Sequence, residues 1–193
     1  MLINFFVSEV RVKLLKILLP QPEKSFHVRA LVRLVGTEIN AVRRELTNLL
    51  DIGLLRKRQS SNKIYYTVNT ACKYYPELLS LISKEEGLGA NIIDSSKELG
   101  KIRYAVLSRA FTKGRDTTPL DVDLLLVGTI NLQVLEKIIK EEEKRIGKEI
   151  NYTVLAEDEF LFRKRKNDQF ISRVLSQSRT MLIGDEESFC SLV

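Results

Sequence analysis

The chain has 193 residues, 44% of them hydrophobic and 29% charged, with a formal net charge of +6. That length holds one large domain or two small ones, and the composition is that of a folded globular protein. No apolar run approaches the ~20 residues of a membrane helix, and two cysteines, Cys72 and Cys190, are too few for a disulfide framework or a zinc cage. The opening MLINFFVSEVRVKLL lacks the basic-then-apolar order of a secretory leader, so the expectation is a cytoplasmic protein with free thiols and no membrane association.

The positive charge is uneven. Residues 1–85 hold 14 Lys and Arg against 7 Asp and Glu, a net of +7, and the remainder hold 17 against 18, a net of −1. An excess confined to one half points to a polyanionic partner for that half.

In chain order, SEVRVKLLKILLP reads as an amphipathic helix capped by Ser8 and stopped by Pro20. After a polar loop, HVRALVRLVG places Val28, Leu31, Val32 and Leu34 on one side and ends at Gly36. His27, the only histidine, begins this helix as a cap or local polar contact. TEINAVRRELTNLLDIG starts with Thr37 as cap and ends at Gly53. At 100° per residue, Ile39, Val42, Leu46, Leu49 and Leu50 gather in one sector, and Asn40, Arg43, Arg44 and Thr47 in the opposite one. The second set suits base edges and phosphates: Arg reads guanine, Asn reads adenine, and Thr serves either kind of contact. LLRKRQSSNKIYYTVN then reads as a β-hairpin with Arg56, Lys57, Arg58 and Lys63 around its tip. A basic hairpin after two helices and a glycine turn can follow a phosphate backbone while the helix takes the major groove.

The stretches EVRVKLLKILL, INAVRRELTNLLDIGLL and NKIYYTVN give residues 8 to about 85 a clear resemblance to the winged helix-turn-helix domains of ArsR and MarR-type prokaryotic regulators. The resemblance implies double-stranded DNA as partner and a homodimer on a palindromic site.

Beyond this, PELLSLISKEE reads as a helix with Pro76 in its first turn, and GLG at Gly87–Gly89 marks a boundary. The domains expected are 1–86, a winged helix, and 87–193, a small α/β domain with a mixed sheet, α+β in fold class overall. The second domain reads as helix (NIIDSSKEL), strand (IRYAVLS), strand (LDVDLLLVG), long helix (LQVLEKIIKEEEKRI), strand (EINYTVL), two helices (EDEFLFRKRK and NDQFISRVLSQS) and a closing strand (TMLIG). RKRK at Arg163–Lys166 reads as a solvated helix end, and EEEKR on the long helix as an exposed face with charge pairs.

In PLDVDLLLVG, Asp121 and Asp123 sit two apart on a strand, where side chains share a face and can hold one divalent cation. DVDLLLVG, EINYTVL and LIGD resemble the nucleotidyltransferase domain of the DNA polymerase β superfamily over roughly residues 90–186. The resemblance implies a Gly-Ser phosphate cradle, an Asp-X-Asp pair and a third carboxylate holding Mg²⁺ for phosphoryl transfer. This chain has the pair, but Leu107 and Ser108 stand at the cradle, the loop to Asp121 is longer than usual, and Asn151 stands at the third carboxylate, with Glu149 as a displaced substitute. The alternative for the pair is to face solvent or to pair with Arg103 or Arg109. The expected protein is therefore a sequence-specific DNA-binding transcriptional regulator. Its degenerate transferase domain would serve dimerisation or the sensing of a small-molecule or nucleotide effector, with no cofactor. The alternative is a Mg²⁺-dependent nucleotidyltransferase of toxin–antitoxin type that carries a DNA-binding domain.

Overall fold

The computed structural model describes residues 2–115 and 121–191. They divide into two compact units, Met1–Glu85 and Glu86–Val193. No helix among the described residues is long and apolar enough to cross a membrane.

The first unit begins with a 3-10 turn at Leu2–Asn4 and helix α1 (Glu9–Leu18), whose first turn is tied by Ser8 Oγ accepting the Arg11 N–H at 3.2 Å. Strand β1 (Phe26–His27) leads directly into α2 (Val28–Val35), and His27 is the cap: its Nδ1 accepts the Ala30 N–H at 3.2 Å. Gly36 closes α2 at φ +71°, a left-handed value that suits glycine. Helix α3 (Ile39–Asp51) is followed by strands β2 (Leu55–Ser60) and β3 (Lys63–Val68) and then by α4 (Tyr75–Glu85). The strands order as β1-β3-β2, all antiparallel, so the hairpin is anchored to the strand that enters α2. This is a winged-helix arrangement, closed over a core that includes Leu14, Leu18, Leu31, Leu46 and Leu54.

Two expectations in this unit are corrected. Leu34 is 59% exposed and Val35 is buried in its place, because at 100° per residue position 35, not 34, rejoins the sector of 28, 31 and 32. Helix α3 starts one residue later than a Thr37 cap would give. Extended Glu38 is its cap position, and no side chain there bonds the first turn.

The second unit opens with α5 (Gly87–Asp94), which runs through the glycine pair, and α6 (Ser96–Leu99). Then follow β4 (Gly100–Ser108), α7 (Arg109–Thr112), β5 (Leu124–Ile130), α8 (Leu132–Ile146), β6 (Tyr152–Leu155), α9 (Glu157–Arg165), α10 (Gln169–Ser176), β7 (Arg179–Ile183) and α11 (Glu186–Cys190). The sheet order is β6-β5-β4-β7, with β4 antiparallel to both neighbours and β5 parallel to β6 across the α8 crossover. Alternate residues serve the two faces. Ala105, Leu107, Leu124 and Leu126 pack with Ile92 of α5 and Leu135 and Ile139 of α8. Val106, Leu125 and Val127 pack with Phe160 of α9, Ile171 and Val174 of α10 and Phe189 of α11. Opposite a register shift between Ile102 and Tyr104, Gly128 adopts φ +143°, and a Cβ there would overlap the Lys101 carbonyl oxygen.

Two charged runs expected at the surface each send one member inside. Glu142 of EEEKR is 3% exposed; its Oε1 accepts the Leu88 N–H at 3.1 Å, and Arg145 binds it at 2.6 Å. Lys164 of RKRK is 8% exposed and donates to Phe189 O at 2.8 Å, because it falls one turn after buried Phe160 on the same helix face. Burial lowers the Lys164 pKa, and nearby Cys190 opposes the shift. Both cysteines are free, Cys72 buried and Cys190 exposed.

Candidate nucleic-acid interface and acidic cleft

On α3, Asn40, Arg43, Arg44 and Thr47 are all exposed. They form two adjacent ridges. Ile39, Arg43 and Thr47 face a groove of about 1040 Å³ bounded by α2, α3 and the hairpin, while Asn40 and Arg44 lie on the ridge beside it. The Thr47 hydroxyl donates to the Arg43 carbonyl at 3.1 Å, which leaves its oxygen as an acceptor for an incoming donor.

The groove also takes Arg29 and Arg33 from α2 and Asn62 and Lys63 from the hairpin, and no carboxylate lines it. Sequence reasoning missed Arg29 and Arg33. Their i, i+4 spacing on the polar side of HVRALVRLVG was the available signal. Four cations converge without a counter-charge.

The hairpin departs from expectation. Pairing continues to Ser60–Lys63, so the turn is only Ser61–Asn62, with Ser61 at φ 54°. Arg56, Lys57 and Arg58 therefore stand along β2, opposite Thr67, Tyr66 and Tyr65, and only Lys63 flanks the tip. Because cross-strand partners share a face, Arg56, Arg58 and Lys63 make one cationic stripe, and Lys57 belongs to the other face.

In the second unit the aspartates lie in the bend before β5, not on the strand, so the shared-face argument does not apply to them. Pro119 and Leu120, with the rest of the long loop between 116 and 120, lie outside the described residues. Asp121 is half-buried and lines a cleft of about 670 Å³ with Asn151, Thr153, Asp168 and Arg173. Asp123 is 1% exposed and is not part of the cleft lining. It joins two strands: its N–H donates to Asn151 O at 2.7 Å, and its Oδ2 accepts the Asn151 N–H at 3.0 Å.

The remaining expected positions fall as follows. Leu107 turns into the hydrophobic core, and Ser108 caps α7, its Oγ accepting the Phe111 N–H at 3.1 Å. Glu149 is exposed, precedes β6 and does not line the cleft, so it does not replace the third carboxylate. Arg103 stands 3.6 Å from Glu157, and Arg109 donates to Arg179 O at 3.0 Å. Among the described residues no cluster of three His, Cys, Asp or Glu could hold a metal ion. Asp123 is built into a strand joint, Asp168 of the cleft caps α10 by accepting the Ile171 N–H, and Asn151 is uncharged, so Asp121 is not joined by the further carboxylates that a Mg²⁺ site gripping a triphosphate needs.

The chain is 29% identical over 86 residues, 45% of its length and 84% of the relative's, to a "putative protein adenylyltransferase" of Methanocaldococcus jannaschii. No protein family and no solved structure matches the chain.

Proposed function

We propose that this protein is a DNA-binding transcriptional regulator, working as a homodimer, whose second unit keeps a nucleotidyltransferase-like fold for dimerisation or effector sensing. One observation carries the reading: a groove between α2, α3 and the hairpin that gathers Arg29, Arg33, Arg43 and Lys63 with no acidic residue. In this reading α3 enters the major groove, with Arg43 and Arg44 as guanine or phosphate ligands and Asn40 as an adenine ligand. The α2 arginines and the Arg56, Arg58 and Lys63 stripe meet the flanking phosphates. With about six phosphates neutralised, the logarithm of affinity should fall with log salt at a slope near −5. Fluorescence anisotropy with duplex DNA between about 50 and 200 mM salt measures that slope. Arg43→Ala or Arg44→Ala should weaken binding by about 1–3 kcal/mol. Binding that ignores salt, or that survives both substitutions together, rejects the reading.

The relative supports a second reading, Mg²⁺-dependent nucleotidyl transfer by the second unit onto a protein or small molecule, with the first unit as a DNA anchor. The donor set argues against it. Incubation with Mg²⁺ and α-labelled ATP separates the two: the first reading expects no labelled product, and a product lost on Asp121→Asn would make transfer the function.

A further inference from the structure

We propose that the first unit contains a binding site for a small lipophilic cation, on the side of α3 away from the basic groove. A cavity of about 360 Å³ opens there, within the range of about 300–1,000 Å³ typical of small-molecule sites. Leu15 of α1, Leu49 of α3, Leu54 and Leu78 of α4 form its apolar wall. The mouth carries Ile52, 52% exposed, and Tyr74, 49% exposed, so apolar surface that a soluble domain ordinarily hides stands open to a ligand.

Charge decides the class of occupant. Four ionic groups bear on the cavity: Arg11 and Glu77 line it, Glu45 lies behind Arg11, and Lys73 stands over the Tyr74 ring at the mouth. Arg11 Nε binds Glu45 Oε2 at 2.8 Å, so the guanidinium already has its counter-ion and offers little to an anionic ligand. Glu77, on the first turn of α4, is exposed and has no ion pair among the described residues. A ligand whose tail fills the apolar wall would therefore present its head to a carboxylate, and an ammonium is favoured there over a carboxylate head. Lys73 Nζ stands 4.9 Å from the Tyr74 ring centroid, so the ring face has a cation already and the ligand's head meets Glu77. Asn48, Leu49 and Ile52 place the cavity directly behind the helix that carries Arg43 and Thr47. The site itself does not depend on the DNA reading.

Calorimetry on the full chain with octylammonium and octanoate, equal in tail and opposite in head, tests the proposal. Octylammonium should bind at least fivefold more tightly than octanoate. Glu77→Gln, at an exposed position that folding tolerates, should abolish that preference without removing tail binding. Ile52→Trp, which narrows the mouth from another exposed position, should weaken octylammonium at least fivefold. Equal binding of the two probes, absence of binding, or a preference that survives Glu77→Gln overturns the proposal. Heat that disappears as the protein self-associates assigns the cavity to a second copy and overturns it equally.

Discussion

Glu45 shows how a single side chain can be both a structural and a pH-sensitive element. It is 3% exposed on a helix whose residues 43, 44 and 47 are all in solvent, and Arg11 and Asn48 donate to its Oε2 at 2.8 and 3.3 Å. Burial pushes its pKa up, but hydrogen bonds from Ser8, Arg11 and Asn48 together hold it below the ordinary value of 4.5. A carboxyl with a lowered folded pKa adds stability that is complete above its ordinary value and disappears as pH falls through the lowered one. Thermal melts should therefore lose a component as pH drops below about 4.5. Arg11→Ala should flatten that component and cost about 1–3 kcal/mol at neutral pH, since it strands a buried carboxylate. Melts of the variant that match wild type at both pH values would remove this account. Glu45 was only partly legible: at 100° per residue it falls next to Leu49 but just outside the apolar sector of Ile39, Val42, Leu46, Leu49 and Leu50, and its burial depends on Arg11 of another helix. Asp123 was not legible, because its role depends on Asn151, a partner distant in sequence that comes beside it only once β5 and β6 pair.

Among elements, periodicity served the long helices well and the strand ends poorly. Helix α8 spans Leu132–Ile146, the run its spacing predicts, with Asn131 accepting from the N–H groups of Gln133 and Val134 at its start and Gly147 in the left-handed region at its end. Those signals are local, so a reader of residues can find them. Strand limits are set by partners. β5 begins at Leu124, after the two aspartates that LDVDLLLVG was expected to include, because its first ladder partners are Leu107 and Tyr152. The same dependence placed Arg56 and Arg58 along the hairpin and not at its tip. Gly128 is the sharpest test at this scale, since its φ of +143° and the adjacent Lys101 carbonyl both exclude a side chain. Gly128→Ala should destabilise the second unit by about 2–4 kcal/mol. Urea unfolding followed in each unit should show the loss there and leave the first unit's transition unchanged; an unaltered midpoint would mean that the bulge adapts freely.

At the scale of the whole molecule, charge and architecture divide at the same place. The unit ending at Glu85 carries the +7 excess and closes over its own buried cluster from Leu2 to Ile82. A fragment of residues 1–85 should therefore unfold cooperatively and, on the proposed reading, bind DNA in a salt-dependent way, with any loss confined to the avidity that a proposed dimer would add. Circular dichroism melts and anisotropy check this, and an unfolded fragment would show that the second unit is needed to hold the first together. The succession of helices and hairpin was readable because these elements follow one another closely along the chain, though Arg29 and Arg33 of the groove were missed, whereas the cleft is assembled from Asp121, Asn151 and Asp168 across three separate connections. The sheet order β6-β5-β4-β7 also carries a timetable for biosynthesis. At about 5–20 residues per second of translation, the amino-terminal unit can close on the ribosome well before Arg179 emerges to pair with Ser108. Until then one edge of β4 waits unpaired, a natural landing place for a chaperone on the nascent polypeptide.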